Sequence, residues 1–157
     1  MIKSFCLIIF ISIVLASCGS ALYEKNKDVN ELGWHKDSTY VFETDRLTDL
    51  PDAIVFGVNI RNTIDYKYRN FWCYMSIKLP SGKVFTDTID HMLLSPEGHW
   101  LANVEGGNSI KSSNVFFKYP INNPDSGIYT ISLRHAMREE SLKSIVSMSA
   151  FIKEFKK

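Results

Sequence analysis

Hydrophobic and polar residues alternate with a period of two along most of this chain from Trp34 onward. In residues 53–61 (AIVFGVNIR), Ile54, Phe56, Val58 and Ile60 fall on one face, while Val55, Gly57, Asn59 and Arg61 fall on the other. Residues 71–79 repeat the pattern, with Phe71, Cys73, Met75, Ile77 and Leu79 against Trp72, Tyr74, Ser76 and Lys78. Such alternation predicts strands buried on one side. Pro80-Ser81-Gly82-Lys83 is a turn sequence that returns the chain as a more polar strand over 84–91. Strands over 53–61, 71–79 and 84–91 are therefore expected to form a meander ending in a hairpin.

The same pattern predicts strands over 39–44, 114–119 and 128–134, the last with Tyr129, Ile131 and Leu133 inward. Asp49-Leu50-Pro51-Asp52 and Asn122-Asn123-Pro124-Asp125-Ser126-Gly127 mark turns, and Leu94 to Ser113 has a loop composition. Residues 144–155 fit either period: Val146, Met148, Ala150 and Ile152 alternate, yet Ile145, Met148, Ile152 and Phe155 suit a helix. β-Branched content favours a strand, with a short helical turn near Arg138–Lys143. The expectation is all-β: one antiparallel, jelly-roll-like sandwich of about seven or eight strands.

The N-terminus breaks this pattern. Lys3 precedes an apolar run from Phe5 to Val14, which leads to Leu15-Ala16-Ser17-Cys18. The run is shorter than the roughly 18–20 apolar residues of a spanning helix, and no stop-transfer charge follows. A cationic start, an apolar core and a small-residue site make a secretory signal, and the cysteine after the cut resembles a bacterial lipobox. Residues 1–17 are expected to be cleaved, leaving Cys18 as a lipid-bearing (palmitate-type) N-terminus. Several acyl chains anchor where one would not, at about 0.8 kcal/mol per buried methylene. Gly19 in place of Asp resembles the sorting pattern for the outer membrane, in either leaflet. Polar residues 18–31 read as a tether with a flexible reach of about 20 Å, although Tyr23 and Val29 could instead join the domain as an edge strand. The sandwich is expected over 32–157.

Charge and cysteine content narrow the remaining chemistry. Loss of Lys3 takes Lys+Arg from 18 to 17, equal to the 17 Asp+Glu. A neutral domain without a Lys/Arg cluster argues against nucleic acid as a partner. With Cys6 removed and Cys18 acylated, only Cys73 remains, so no intrachain disulfide forms and Cys73 is expected in the core. His35, His91, His99 and His135 lack metal-ligand spacing, and no phosphate loop, nucleophile elbow or zinc helix occurs. Asp87 and Asp90 fall on opposite strand faces, which leaves a hydrolase without a carboxylate pair. No cofactor, metal or catalytic residue is indicated, and a small-molecule substrate is disfavoured.

Three places are denser in polar and aromatic groups than a plain sandwich requires. The first runs from Asn59 through Arg61, Asp65, Tyr66 and Arg69 to Trp72 and Tyr74; the second is the Pro96–Leu101 turn with Trp100; the third is Arg134 to Arg138. If Asn59 and Arg61 face outward beside Trp72 and Tyr74, neighbouring strands present the residue types of binding hot spots. The alternative packs Trp72 under the 92–113 loop.

The series Asn59-x-Arg61-x-Thr63-x-Asp65-Tyr66-x-Tyr68-x-Asn70-x-Trp72, followed by Gly98-x-Trp100 and Ala136-Met137-Arg138, resembles the GldH family of gliding-motility lipoproteins of Bacteroidota. The lipobox, Tyr23-Glu24-Lys25-Asn26 and Gly127-x-Tyr129-Thr130 fit the same pattern. The resemblance implies a non-catalytic envelope lipoprotein with protein partners, connected to gliding and to type IX secretion. A glycan-binding lipoprotein with an aromatic platform is the alternative that the tryptophans and tyrosine leave open.

Overall fold

A computed structural model describes residues 21–101, 103–105 and 109–156 of this chain. The expected signal segment and Cys18 lie outside the described residues. Among those described there is no helix, and the alternating stretches are strands. β1 (Tyr23–Asp28), β2 (Trp34–His35), β3 (Tyr40–Glu43) and β4 (Ala53–Thr63) come first, then β5 (Asn70–Lys78) and β6 (Val84–Met92). β7 (Asn103–Glu105), β8 (Ile110–Phe116), β9 (Ile121–Asn122), β10 (Thr130–His135), β11 (Ser141–Leu142) and β12 (Ile145–Glu154) complete the chain.

All pairings are antiparallel. One sheet runs β1-β12-β4-β8-β7 with β9 also on β4, a second runs β3-β10-β5-β6, and β11 pairs with β2. Numbered among themselves, the eight strands of four residues or more follow the orders 1-8-3-6 and 2-7-4-5. That is the double Greek key of a jelly roll, so the sandwich expected from the alternation is the observed architecture. Gly82, at φ 85°, sits in the Pro80–Lys83 turn, and β5 and β6 then pair without a slip from Lys78↔Val84 to Asn70↔Met92.

The core lies between the two inner faces. β4 buries Ile54, Phe56, Val58 and Ile60; β5 buries Phe71, Cys73, Met75 and Ile77; β12 adds Met148, Ala150 and Ile152. Each fully buried large side chain contributes about 1.5–3 kcal/mol, and with Cys73 a free thiol the fold relies on this packing. Trp34 closes one end of the core. It is fully buried, meets Tyr40 and His135 edge-on at 5.4 and 5.3 Å, and donates from Nε1 to Ser38 O at 3.0 Å. Gly33 at φ 87° brings the chain into β2 so tightly that a Cβ would stand 2.7 Å from Ser141 Oγ and 2.8 Å from Lys143 N.

Five expectations are corrected. Residues 23–28 are not tether: β1 pairs with β12 from Tyr23↔Ile152 to Asp28↔Ser147, because Tyr23 and Lys27 can each turn one face toward the core. The segment 94–113 is not all loop, since β7 lies within it and β8 begins at Ile110, where the inward positions Lys111 and Ser113 are polar and conceal the alternation. The strand expected over 114–119 accordingly ends at Phe116. Arg138–Lys143 forms no helical turn; Ser141 and Leu142 pair with His35 and Trp34. The meander also fails at its first step, because β4 and β5 belong to different sheets and only β5–β6 is a hairpin. β12, by contrast, is the strand that β-branched content favours, with a register shift at Val146 between Ile145↔Asn62 and Ser147↔Arg61.

Candidate interaction surfaces

The outer face of the four-stranded sheet carries the aromatic residues singled out in the sequence. Alternation along β5 buries Phe71, Cys73 and Met75 and therefore turns Trp72 and Tyr74 outward, where they are 41% and 39% exposed. The packing of Trp72 beneath the 92–113 loop is thus not adopted. Register places Arg134 of β10 beside Tyr74 on one side and Thr88 of β6 on the other. The Arg134 guanidinium stands 5.1 Å from the Tyr74 ring centroid, a cation–π contact worth about 0.5–1 kcal/mol at an exposed site. Trp72 has Asp90 opposite it, and Asn70 Nδ2 donates to Asp90 Oδ1 at 2.6 Å.

A cleft opens where this face meets the end of the sandwich, lined by Tyr68, Asn70, Trp72, Met137 and Arg138, with a volume of about 500 Å³. Ala136 N donates to Trp72 O at 2.8 Å, and Trp72 N points at Met137 Sδ at 3.2 Å, which holds the 136–138 segment against β5. Next to it, Lys67 Nζ and Glu139 Oε1 lie 3.3 Å apart. A flat indole face, a planar amide–carboxylate pair and two guanidinium groups can stack on and hydrogen-bond to a ligand. Cys73, the free thiol among the described residues, is held protonated: burial, reinforced by Asp87, pushes it up to about 12.

Asn59 and Arg61 are outward and half-buried, but on the other sheet. They do not join Trp72 and Tyr74, since β4 and β5 face away from each other across the core. Asn59 Nδ2 donates to Asn114 Oδ1 and Ser112 Oγ donates to Asn59 Oδ1, both at 2.9 Å, so this amide is committed to a ladder across β4 and β8. In the adjacent row the Phe151 ring lies over Gly57 and meets Phe116 edge-on at 5.5 Å.

Tyr66 is corrected from surface to core. It is 6% exposed, donates from its hydroxyl to Asn70 O at 3.1 Å, and burial pushes that hydroxyl far above its ordinary range. Asp65 and Arg69 are exposed in the β4–β5 connection, where Arg69 O accepts from Leu93 N at 2.8 Å. Trp100 does not project from its turn; it is half-buried against the core and bridges Leu94. Of the ten candidate residues, Trp72, Tyr74, Arg134 and Arg138 gather on one surface and the other six do not. Asn70 and Met137, which stand in the motif series, belong with them, as do Asp90 and Thr88, which were not named as binding candidates. Asp90 and Thr88 were accessible from the hairpin register, which sets them opposite Trp72 and Tyr74 once the Pro80–Lys83 turn is accepted.

Comparison with known proteins agrees with the motif series. A protein titled gliding motility lipoprotein GldH homolog, from Christiangramia forsetii, is 36% identical over 132 residues, covering 83% of this chain and 78% of that protein. The gliding motility lipoprotein GldH of Flavobacterium johnsoniae is 29% identical over 139 residues, covering 88% and 84%. Among solved structures, a family GH115 4-O-methyl-alpha-glucuronidase with specificity for decorated arabinogalactans matches at a TM-score of 0.45 and 11% identity. The match covers 89% of this chain and only 18% of that one, and at that score it carries no weight. The GldH lipoprotein family profile matches residues 21–149, nearly the whole described domain. This chain belongs to the GldH lipoprotein family.

Proposed function

We propose that this protein is a non-catalytic interaction module of the gliding-motility and type IX secretion machinery, held at the outer membrane by an acylated Cys18. The family match over residues 21–149 carries the reading, with relatives named for gliding motility on either side of 30% identity. The exposed Trp72–Tyr74–Arg134 face and the cleft beside it supply a surface of hot-spot composition for a protein partner. Deletion of the gene is expected to abolish colony spreading and lower surface delivery of type IX cargo. Wild-type protein should restore both, and Cys18→Ala protein, which cannot be acylated, neither. Normal spreading and secretion in a deletion strain of a gliding species would dispose of the reading.

A second reading is a glycan platform, favoured by Trp72 and Tyr74 standing exposed on one face with the Asn70–Asp90 pair alongside. Retention on polysaccharide-containing native gels that disappears with Trp72→Ala supports it; unretarded wild-type protein removes it.

A further inference from the structure

The free edge of the four-stranded sheet has a character of its own. β6 is nine residues long, pairs with β5 along its whole length without a bulge, and has no described strand on its other side. The other outer strands are defended or short: β1 carries Glu24, Lys25, Lys27 and Asp28, while β3 and β7 have four and three residues. β6 contains neither proline nor lysine, the residues most used to discourage strand addition, and carries two charges, Asp87 and Asp90, over nine residues against four over six in β1. The carbonyl of Trp72 is taken by Ala136 on the β10 side, so alternation directs the backbone of Phe85, Asp87, Ile89 and His91 toward β5. The amides and carbonyls of Thr86, Thr88 and Asp90 are left on the open side. One is guarded locally: Thr88 N donates to Asp87 Oδ1 at 2.8 Å.

Beside this edge, between the two sheets, lies a groove of about 430 Å³ lined by Phe85, Phe117, Tyr119 and Ile121, with Asp87 and Lys118 as its charged members. A strand added to β6 would send the inward side chains beside Phe85 and Asp87 into it. We propose that β6 receives an extended peptide segment of a protein partner, which becomes the fifth strand of this sheet and fills the groove with apolar side chains. Its outward side chains meet Asp90, and no cation on β6 opposes them, so the partner segment carries Lys or Arg at an outward position. Main-chain hydrogen bonds would supply affinity, and the groove and Asp90 selectivity. The inference rests on the interaction-module reading and names the chemistry of the partner.

The test pans the full acylated protein, in detergent and immobilised through its C-terminus, against a displayed library of random nonapeptides. Enriched peptides should alternate apolar residues with Thr, Lys or Arg. Thr86→Pro removes an amide on the open side and no main-chain bond to β5, losing there only the exposed Thr86 Oγ1–Ser76 Oγ contact at 2.8 Å, so it should keep the thermal midpoint within about 3 °C. It should also weaken the selected peptides by about tenfold or more, and Tyr119→Ser, on a different element, should weaken them independently. No enrichment, enrichment without alternation, or wild-type binding by either variant overturns the proposal. So does self-association that Thr86→Pro abolishes, since the edge would then belong to a second copy. Because no motile cell is involved, this result and the deletion phenotype succeed or fail separately.

Discussion

Phe71 and Trp72 are consecutive on β5 yet should respond to alanine in opposite ways. Phe71 is fully buried, 5.9 Å from the Trp34 ring, and its truncation leaves a hole between the sheets. Phe-to-alanine changes in such sites cost about 3–5 kcal/mol. Trp72 is 41% exposed, so little more than half of its transfer free energy is at stake, about 1–2 kcal/mol. With a urea dependence of about 2 kcal/mol per molar, Phe71→Ala should move the unfolding midpoint down by about 2 M and Trp72→Ala by less than about 1 M. In a spreading assay the variants should differ in kind. Phe71→Ala fails through low abundance, whereas Trp72→Ala remains abundant and folded and still spreads poorly. Equal midpoint shifts would refute the outward placement of Trp72. Full spreading by an abundant Trp72→Ala protein would refute the use of this face.

Burial lowers the pKa of His135, opposed by the Trp34 backbone and by Glu139 and reinforced by His35 and Arg134, and burial also lowers that of His91 against the pull of Asp90. The unfolded chain then binds protons that the folded one refuses. Stability should be level above about pH 7 and fall as pH drops below about 6.5, and urea midpoints of His135→Gln should show a flatter slope between pH 7 and 5. The raised Cys73 thiol should resist a thiol reagent at pH 8 in native protein and react once in urea; rapid native labelling would contradict its burial. Gly33→Ala forces a side chain into a left-handed backbone and against Ser141 and Lys143, a cost of about 2–4 kcal/mol. Release of Trp34 should shift the fluorescence to the red, and an unchanged midpoint would show that β2 and β11 contribute nothing.

The strands that could be read from composition are those with one dry and one wet face. β5, and β4 apart from Gly57, present a clean contrast between neighbours, which is what a period of two records, whereas β12 buries consecutive residues and so also fitted a helix. β8 was partly hidden because Lys111 and Ser113 face inward, and β1 because four of its six residues are charged. Pairing across the sandwich was invisible for a different reason. Alternation states which residues of a strand share a face, but not which sheet the strand joins. Asn59 and Arg61 therefore looked like neighbours of Trp72, and a jelly roll sends consecutive strands β4 and β5 to opposite sheets. Tyr66 failed on a third ground: a tyrosine in a polar connection has an exposed signature unless its hydroxyl finds a backbone acceptor, here Asn70 O.

The recruitment of residues 23–28 into β1 changes what an anchor at Cys18 can do. Only residues 19–22 stand between Cys18 and Tyr23, and five residues fully extended reach at most about 18 Å. Tyr23 donates from its hydroxyl to Glu43 O, and Glu43 shares a register row with Thr130, Lys78 and Val84. That row is the end of the sandwich an acylated Cys18 would hold close to the lipid. Trp72 lies six residues back along β5 from Lys78, about 20 Å farther from the anchored end, with Asn70 and the 136–138 segment at the same far end. Were Cys18 acylated as proposed, so short a tether would hold the Val84 end of β6 nearer the membrane and the Met92 end, with the Trp72 cleft, farther from it. A partner that reached only the cleft would need to stand clear of the bilayer. One that laid a strand along β6 could engage the domain at both heights, which ties the length of the tether to the geometry of recognition.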